Sequence, residues 1–169
     1  MIRLGSIGFG SRGSGVAHLM EQQPYHAKLV AVADPDGDRA RQRMGDRGFE
    51  AESINLYQDA DAMLDAEGLD GVIVSTRCSL HAGLGAKVLA RNLPLYIEKP
   101  VATTLDDYRM LRDALAASKS PTMTSFPLRM VPGIRRMWEI VRSGRLGEPT
   151  HVQATNNVPY GEVYYQTWY

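Results

Sequence analysis

Leu4-Gly-Ser-Ile-Gly-Phe-Gly-Ser-Arg-Gly13 decides how the rest of the chain is read. Leu4 to Phe9 is a short apolar run that closes in glycines, and Gly15 to Gln22 has helical character. The chain therefore opens as strand, tight turn and helix. A helix that follows a strand directly carries the chain back along the sheet, so the next strand joins parallel to the first. Outward from this unit the alternation continues. Lys28-Leu-Val-Ala-Val-Ala33 reads as a buried strand closed by Asp34-Pro35, Asp36 to Arg47 as a charged surface helix, and Ile54 to Tyr57 as a weak strand. Asp59 caps a short helix reaching Ala66, and Gly71 to Ser75 is a strong buried strand. Ser79 to Arg91, Leu95 to Glu98, Thr104 to Ser118 and Thr122 to Phe126 follow as helix, strand, helix and strand. Repeated β-α order of this kind specifies an α/β fold, a doubly wound parallel sheet with right-handed crossovers.

After Pro127 the pattern changes. Gly133 to Ser143 reads as one amphipathic helix, Gly144 to Gly147 as a turn, and His151 to Val158 as an alternating strand, with an aromatic segment from Val163 to Tyr169. The chain thus divides into a layered domain, residues 1–126, and residues 127–169, the beginning of a second α/β domain. That second domain is expected to be incomplete, because neither the late strand nor the aromatic segment finds a partner in the sequence.

Composition narrows the function classes. A chain of 169 residues supports one well-cored domain with little left for a second. With 44% apolar and 22% charged residues, neither disorder nor a fibrous repeat is favoured. The 19 basic side chains balance the 19 acidic ones, so no long-range field gathers nucleic acid or anionic lipid. Cys78 is the sole cysteine, which excludes an intrachain disulfide and a cage of several cysteines around zinc, and no metal site is expected. No apolar run has the length of a membrane span, and the glycine-rich start does not suit a signal peptide, so a cytoplasmic location is the expectation.

The opening glycines form a Gly-x-Gly-x-x-Gly set, Gly8, Gly10 and Gly13, with Phe9, Ser11 and Arg12 between them. In this strand-to-helix setting the first glycine allows the tight turn, the second lets a pyrophosphate approach the backbone, and the third lets helix and strand pack closely. The phosphates would rest on free amides at the helix N-terminus. Asp34 lies about 20 residues beyond Gly13, where a dinucleotide site wants a carboxylate for the ribose hydroxyls. A purely structural turn is the alternative, and a class I methyltransferase also spaces a glycine loop and an acid this way. Asp34 favours NAD by repelling a 2′-phosphate. Arg12 and Arg39 stand where they could offset that repulsion, which leaves NADP open.

Two further turns fall at the carboxyl ends of predicted strands, where open α/β sheets bind their ligands. In Glu98-Lys99-Pro100 the Lys99 ammonium can hold a substrate oxygen and stabilise charge developing during hydride transfer. Its alternative is a surface lysine paired with Glu98. Ser75, Thr76 and Arg77 lead into His81, whose imidazole could reach nicotinamide or substrate, or serve only as a helix-capping or hydrogen-bonded structural group. Cys78 reads as a small packed residue.

Together these segments resemble the Gfo/Idh/MocA family of glucose-fructose oxidoreductase, inositol dehydrogenase and their relatives. The resemblance rests on Gly8 to Gly13, Val32-Ala-Asp-Pro35, Ser75-Thr-Arg-Cys-Ser-Leu-His81, Glu98-Lys-Pro100 and Ser143-Gly-Arg-Leu-Gly-Glu-Pro149. Glu-Lys-Pro is its specific part, and it sets the methyltransferase reading aside. It implies a Rossmann-type domain that binds NAD(P) through Gly8, Gly10, Gly13 and Asp34, with Glu98 and Lys99 approaching the nicotinamide and Lys99 activating the reacting hydroxyl. Arg77 and Cys78 replace the Pro and Asn usual in the family's Thr-Pro-Asn-x-x-His-like turn. The resemblance also implies a longer parent carrying the final proton acceptor, acting on a sugar, cyclitol or related polyol, with homo-oligomer formation open for the complete enzyme. A non-catalytic nicotinamide-binding module and an NAD-dependent glycoside-cleaving relative are the other readings.

Overall fold

The computed structural model describes residues 1–24, 26–157 and 161. Strands β1 (Ile2–Ile7), β2 (Ala27–Ala33), β3 (Asn55–Tyr57), β4 (Gly71–Val74), β5 (Leu95–Ile97) and β6 (Thr122–Thr124) form one sheet in the order β3-β2-β1-β4-β5-β6. Each neighbouring pair is parallel. Helices α1 (Ser11–Glu21), α2 (Gly37–Asp46), α3 (Ala60–Ala66), α4 (His81–Ala90) and α5 (Leu105–Ala117) connect the strands. The chain winds outward from β1 in one direction to β3 and then in the other from β4 to β6. The reversal between β1 and β4 opens a crevice beyond their carboxyl ends, the place where such sheets bind ligands.

The continuous apolar runs in β2 and β4 are explained by burial on both faces. Residues of a strand point to the two sides in turn, and in β2 an irregularity in the register with β1, where Leu4 pairs with Leu29 but Gly5 with Ala31, shifts that alternation by one residue. Leu29 and Val32 of β2 and Ile73 of β4 join Phe9, Ala17, Ala40, Met44 and Phe49 under α1 and α2. Val30, Val72 and Val74 join Met63, Leu64, Val88 and Leu89 under α3 and α4. A strand with polar residues on one face could not be covered in this way.

Three of the six predicted helices begin at a side-chain cap. Asp36 accepts a hydrogen bond from the Arg39 N–H at 3.0 Å, Asp59 from Ala62 at 2.9 Å, and Thr104 from Asp107 at 3.1 Å. The first helix differs: it starts at Ser11 and not at Gly15. Glycines weaken an isolated helix, but here close packing of α1 against β1 requires a residue without a side chain at Gly13, and packing outweighs propensity.

Met1–Phe126 forms one compact unit and Pro127–Tyr169 a second. Within the second, a short 3-10 turn at Pro127–Met130 precedes α6 (Pro132–Arg142), followed by a turn in which Gly144 and Gly147 take positive φ. The alternating strand expected from His151 to Val158 is not formed over residues 151–157, while Val158 and the aromatic segment from Val163 to Tyr169 lie outside the described residues. Alternation alone does not make a strand, because its amides and carbonyls need a ladder partner, and none of the described residues pairs with this segment. Among the described residues, no helix is long and apolar enough to cross a membrane.

Candidate active site

The glycine loop follows β1 and turns directly into α1. Gly8 has φ +81, and a Cβ there would meet the Ser75 carbonyl oxygen at 2.6 Å. A Cβ on Gly13 would lie 2.5 Å from the Gly8 carbonyl oxygen. These two positions exclude side chains so that β1, α1 and the end of β4 can touch. Gly10 is different: its nearest neighbour would be Arg43 Nη1 at 3.7 Å. Its open space is therefore available to a ligand that lies on the loop. Helix α1 begins there with no side-chain cap and no acidic residue in its first turn. Among the described residues the amides of Ser11, Arg12 and Gly13 have no acceptor. The positive end of the helix thus faces the crevice uncompensated, a setting that suits a pyrophosphate.

Phe9 contributes differently from the residues beside it. Its ring is fully buried and packs on Phe49 with centroids 5.7 Å apart. Its N–H donates to Asp34 Oδ2 at 2.8 Å, and its carbonyl accepts from Arg43 Nη1 at 3.1 Å. Ser6, buried within β1, donates from Oγ to the Gly8 carbonyl at 3.0 Å. Asp34 also accepts the Asp36 N–H on Oδ1 at 3.0 Å. Each carboxylate oxygen has a second lone pair, so Asp34 keeps acceptor capacity for a ribose diol. The Asp34 N–H donates to the carbonyl of Tyr57 at 3.0 Å, and that tyrosine's own phenol is pushed up by burial first and by hydrogen bonding to Glu67 second.

The other side of the crevice is built from the ends of β4 and β5. The Ser75 N–H donates to the Ile7 carbonyl at 2.9 Å and the Glu98 N–H to the Val74 carbonyl at 3.0 Å, so both turns are extensions of the sheet. Glu98 is buried, 5% exposed, and its Oε1 has no hydrogen-bond partner. Arg12 Nε stands 3.9 Å from that oxygen, with most of the arginine in solvent. An unsatisfied buried carboxylate oxygen costs free energy, and it fits a donor brought by a ligand. Lys99 next to it is exposed, and the Lys99–Pro100 peptide is cis.

His81 is buried at the start of α4, with Nδ1 2.7 Å from the Pro100 carbonyl oxygen and Nε2 3.2 Å from that of Thr76. The ring lies between the turn after β4 and the Glu98–Pro100 turn with a backbone carbonyl against each nitrogen, and a neutral imidazole donates to only one of them. Thr76 donates its hydroxyl to the Arg77 carbonyl at 3.2 Å. The structure therefore brings Gly8, Gly10, Gly13, Ser11, Arg12, Asp34, Ser75, Thr76, Glu98 and Lys99 to one edge of the sheet, while the Phe9 side chain and His81 are directed into the protein. Arg43 is the participant that sequence reasoning passed over. Its signal was present: Arg39, Arg43 and Arg47 recur every four residues and so share one face of α2. Arg47 likewise reaches the loop, with Nη2 3.4 Å from the Ser11 carbonyl.

Residues 2–126 match the family model described as an oxidoreductase family with an NAD-binding Rossmann fold. The rhizopine catabolism protein MocA of Rhizobium meliloti is 30% identical over 145 residues, covering 86% of this chain and 44% of that protein. Inositol 2-dehydrogenase of Pseudomonas fluorescens is 27% identical over 165 residues, covering 96% of this chain and 48% of the relative. Among solved structures, myo-inositol dehydrogenase of Lactobacillus casei in complex with NAD(H) and myo-inositol superposes with a TM-score of 0.79 at 28% identity, over 88% of this chain and 43% of that one. This chain spans about half the length of the curated relatives it matches. The sheet order, the glycine loop with its uncapped helix, and the match across residues 2–126 agree, and the chain belongs to the NAD-binding Gfo/Idh/MocA family of oxidoreductases.

Proposed function

We propose that this chain is the cofactor-binding part of an enzyme that oxidises a secondary alcohol on a sugar, cyclitol or related polyol, with NAD as hydride acceptor. The observation that carries the reading is the exposed Lys99 beside buried Glu98 at the carboxyl ends of β4 and β5, in the same crevice as the free amides of α1. The amides and Gly10 would hold the pyrophosphate and Asp34 the adenosine ribose. Bound NAD supplies the carbon, C4 of the nicotinamide, that takes the hydride from the carbinol carbon. Lys99 donates a hydrogen bond to the carbinol oxygen and stabilises the negative charge that gathers there as the hydroxyl proton passes to an acceptor supplied by the remainder of the parent enzyme. Glu98 offers its free oxygen to a donor on the cofactor side. The names of the relatives, which include inositol and D-apiose dehydrogenases, support a polyhydroxylated substrate.

The test uses the complete parent protein with NAD and a panel of cyclitols and sugars, with products identified. Net oxidation is expected, and Lys99→Ala should lower kcat by about a hundredfold or more, while NADH affinity changes by less than about threefold. Unchanged turnover in Lys99→Ala would remove Lys99 from the chemistry. Hydrolysis without net oxidation would replace the dehydrogenase reading with glycoside cleavage.

A further inference from the structure

The peptide of Phe9 is held from both sides, its N–H by the Asp34 carboxylate at 2.8 Å and its carbonyl by the Arg43 guanidinium at 3.1 Å. One residue's backbone therefore separates the negative group that marks the adenosine ribose from a positive group. Arg43 is partly buried and stands over Gly10, where the loop is open. Arg47, the residue that closes α2, places a second guanidinium against Ser11. Repulsion between a carboxylate and a 2′-phosphate is the usual basis for choosing NAD over NADP, and a nearby arginine is the usual means of accepting the phosphate. Here the two charges, opposite in sign, flank a single peptide of the loop.

Building on the cofactor reading above, we propose that Arg43 determines specificity at the adenosine end: its charge offsets that of Asp34, so that NADPH binds within about tenfold of NADH, a difference of about 1.4 kcal/mol or less. The same side chain positions the loop, and the two roles separate experimentally. Holding the Phe9 carbonyl, like any attraction for a pyrophosphate over Gly10, serves both dinucleotides equally, whereas charge set against that of Asp34 favours the one with the extra phosphate.

The experiment is calorimetric titration of the full 169-residue chain with NADH and with NADPH, for wild type, Arg43→Met and Arg43→Lys. Met keeps much of the length and apolar stem of arginine without its charge, and Lys keeps the charge. Arg43→Met is expected to weaken NADPH by about tenfold or more and NADH by no more than about threefold, with Arg43→Lys returning NADPH to within about threefold of wild type. Equal loss of both dinucleotides in Arg43→Met, no loss of either, or a wild-type preference for NADH above about tenfold overturns the proposal while leaving cofactor binding intact. A wild-type chain that binds neither dinucleotide overturns the cofactor reading, and this proposal with it.

Discussion

The two sides of the crevice are built on opposite terms. On the glycine-loop side the backbone is packed to contact, Phe9 is anchored at both ends of its peptide, and the one open position is Gly10. On the Glu98–Lys99 side the turns are also tied down, by His81 and by extension of the sheet, yet two polar groups there are left without a hydrogen bond or exposed: a buried carboxylate oxygen with no hydrogen-bond partner and an ammonium in solvent. The first side has the character of a rigid receptor whose shape is paid for by loss of side chains. The second stores unsatisfied polarity where chemistry is expected. A fold tolerates such a site because the groups that hold it in place are different from the groups that would act.

The sharpest way to break this contrast lies within the loop. Gly8→Ala forces a side chain into a positive-φ position against the Ser75 carbonyl, and it should cost roughly 3 kcal/mol, about 10 °C in Tm. Gly10→Ala should leave Tm within about 2 °C of wild type and still weaken NADH by about tenfold or more, because its Cβ enters the ligand's space and no protein atom's. Thermal melts and titrations on the two variants check this together, and equal destabilisation would show that Gly10 is also structural.

On the opposite side His81→Ala should cost about 2 kcal/mol, since it leaves a cavity and strips a hydrogen bond from the turn carrying Lys99. Denaturant unfolding would measure it, and a loss below about 0.5 kcal/mol would mean that the turn is held without the ring. Glu98→Gln should behave in the reverse sense. Removing charge from a buried group with an unmet oxygen should raise stability by roughly 1 kcal/mol while NADH affinity falls. A destabilised Glu98→Gln would show that the Arg12 contact is worth more than its 3.9 Å distance suggests.

The smallest effect belongs to the helix surface remote from the crevice. Hydrogen bonding to Lys87, with further help from Arg91, holds the Asp61 carboxyl below its ordinary range, although burial opposes the shift. A carboxyl lowered in the folded state contributes stability in full above its unfolded value near 3.8, and that contribution is lost as pH falls through the folded value. Because the pair is solvent-exposed, Asp61→Asn should lower stability at pH 7 by only about 0.5 kcal/mol. Melts of both proteins at neutral and strongly acidic pH should show the difference vanish in acid.

What the residues alone determined here is whatever depends on near neighbours along the chain. The apolar runs of β2 and β4, the capping side chain of Asp59, and the glycine spacing after β1 all act through local dihedrals and periodicity, so element order and the location of the ligand edge were legible in the sequence. The position of the Glu98-Lys99-Pro100 turn at the ligand edge was legible for the same reason, since it closes a recognisable strand. Tertiary structure decided the rest. The start of α1 at Ser11 follows from contact between Gly13 and Gly8, and the residues at 151–157 form no strand because a ladder needs a second segment. The clamping of Phe9 by Asp34 and Arg43, the turn-to-turn bridge through His81, and the orphan oxygen of Glu98 all join residues brought together only by the sheet. Spacing along a chain encodes periodicity and turn chemistry, but which polar groups meet, and which are left unmet, is settled by how strands and helices pack in three dimensions.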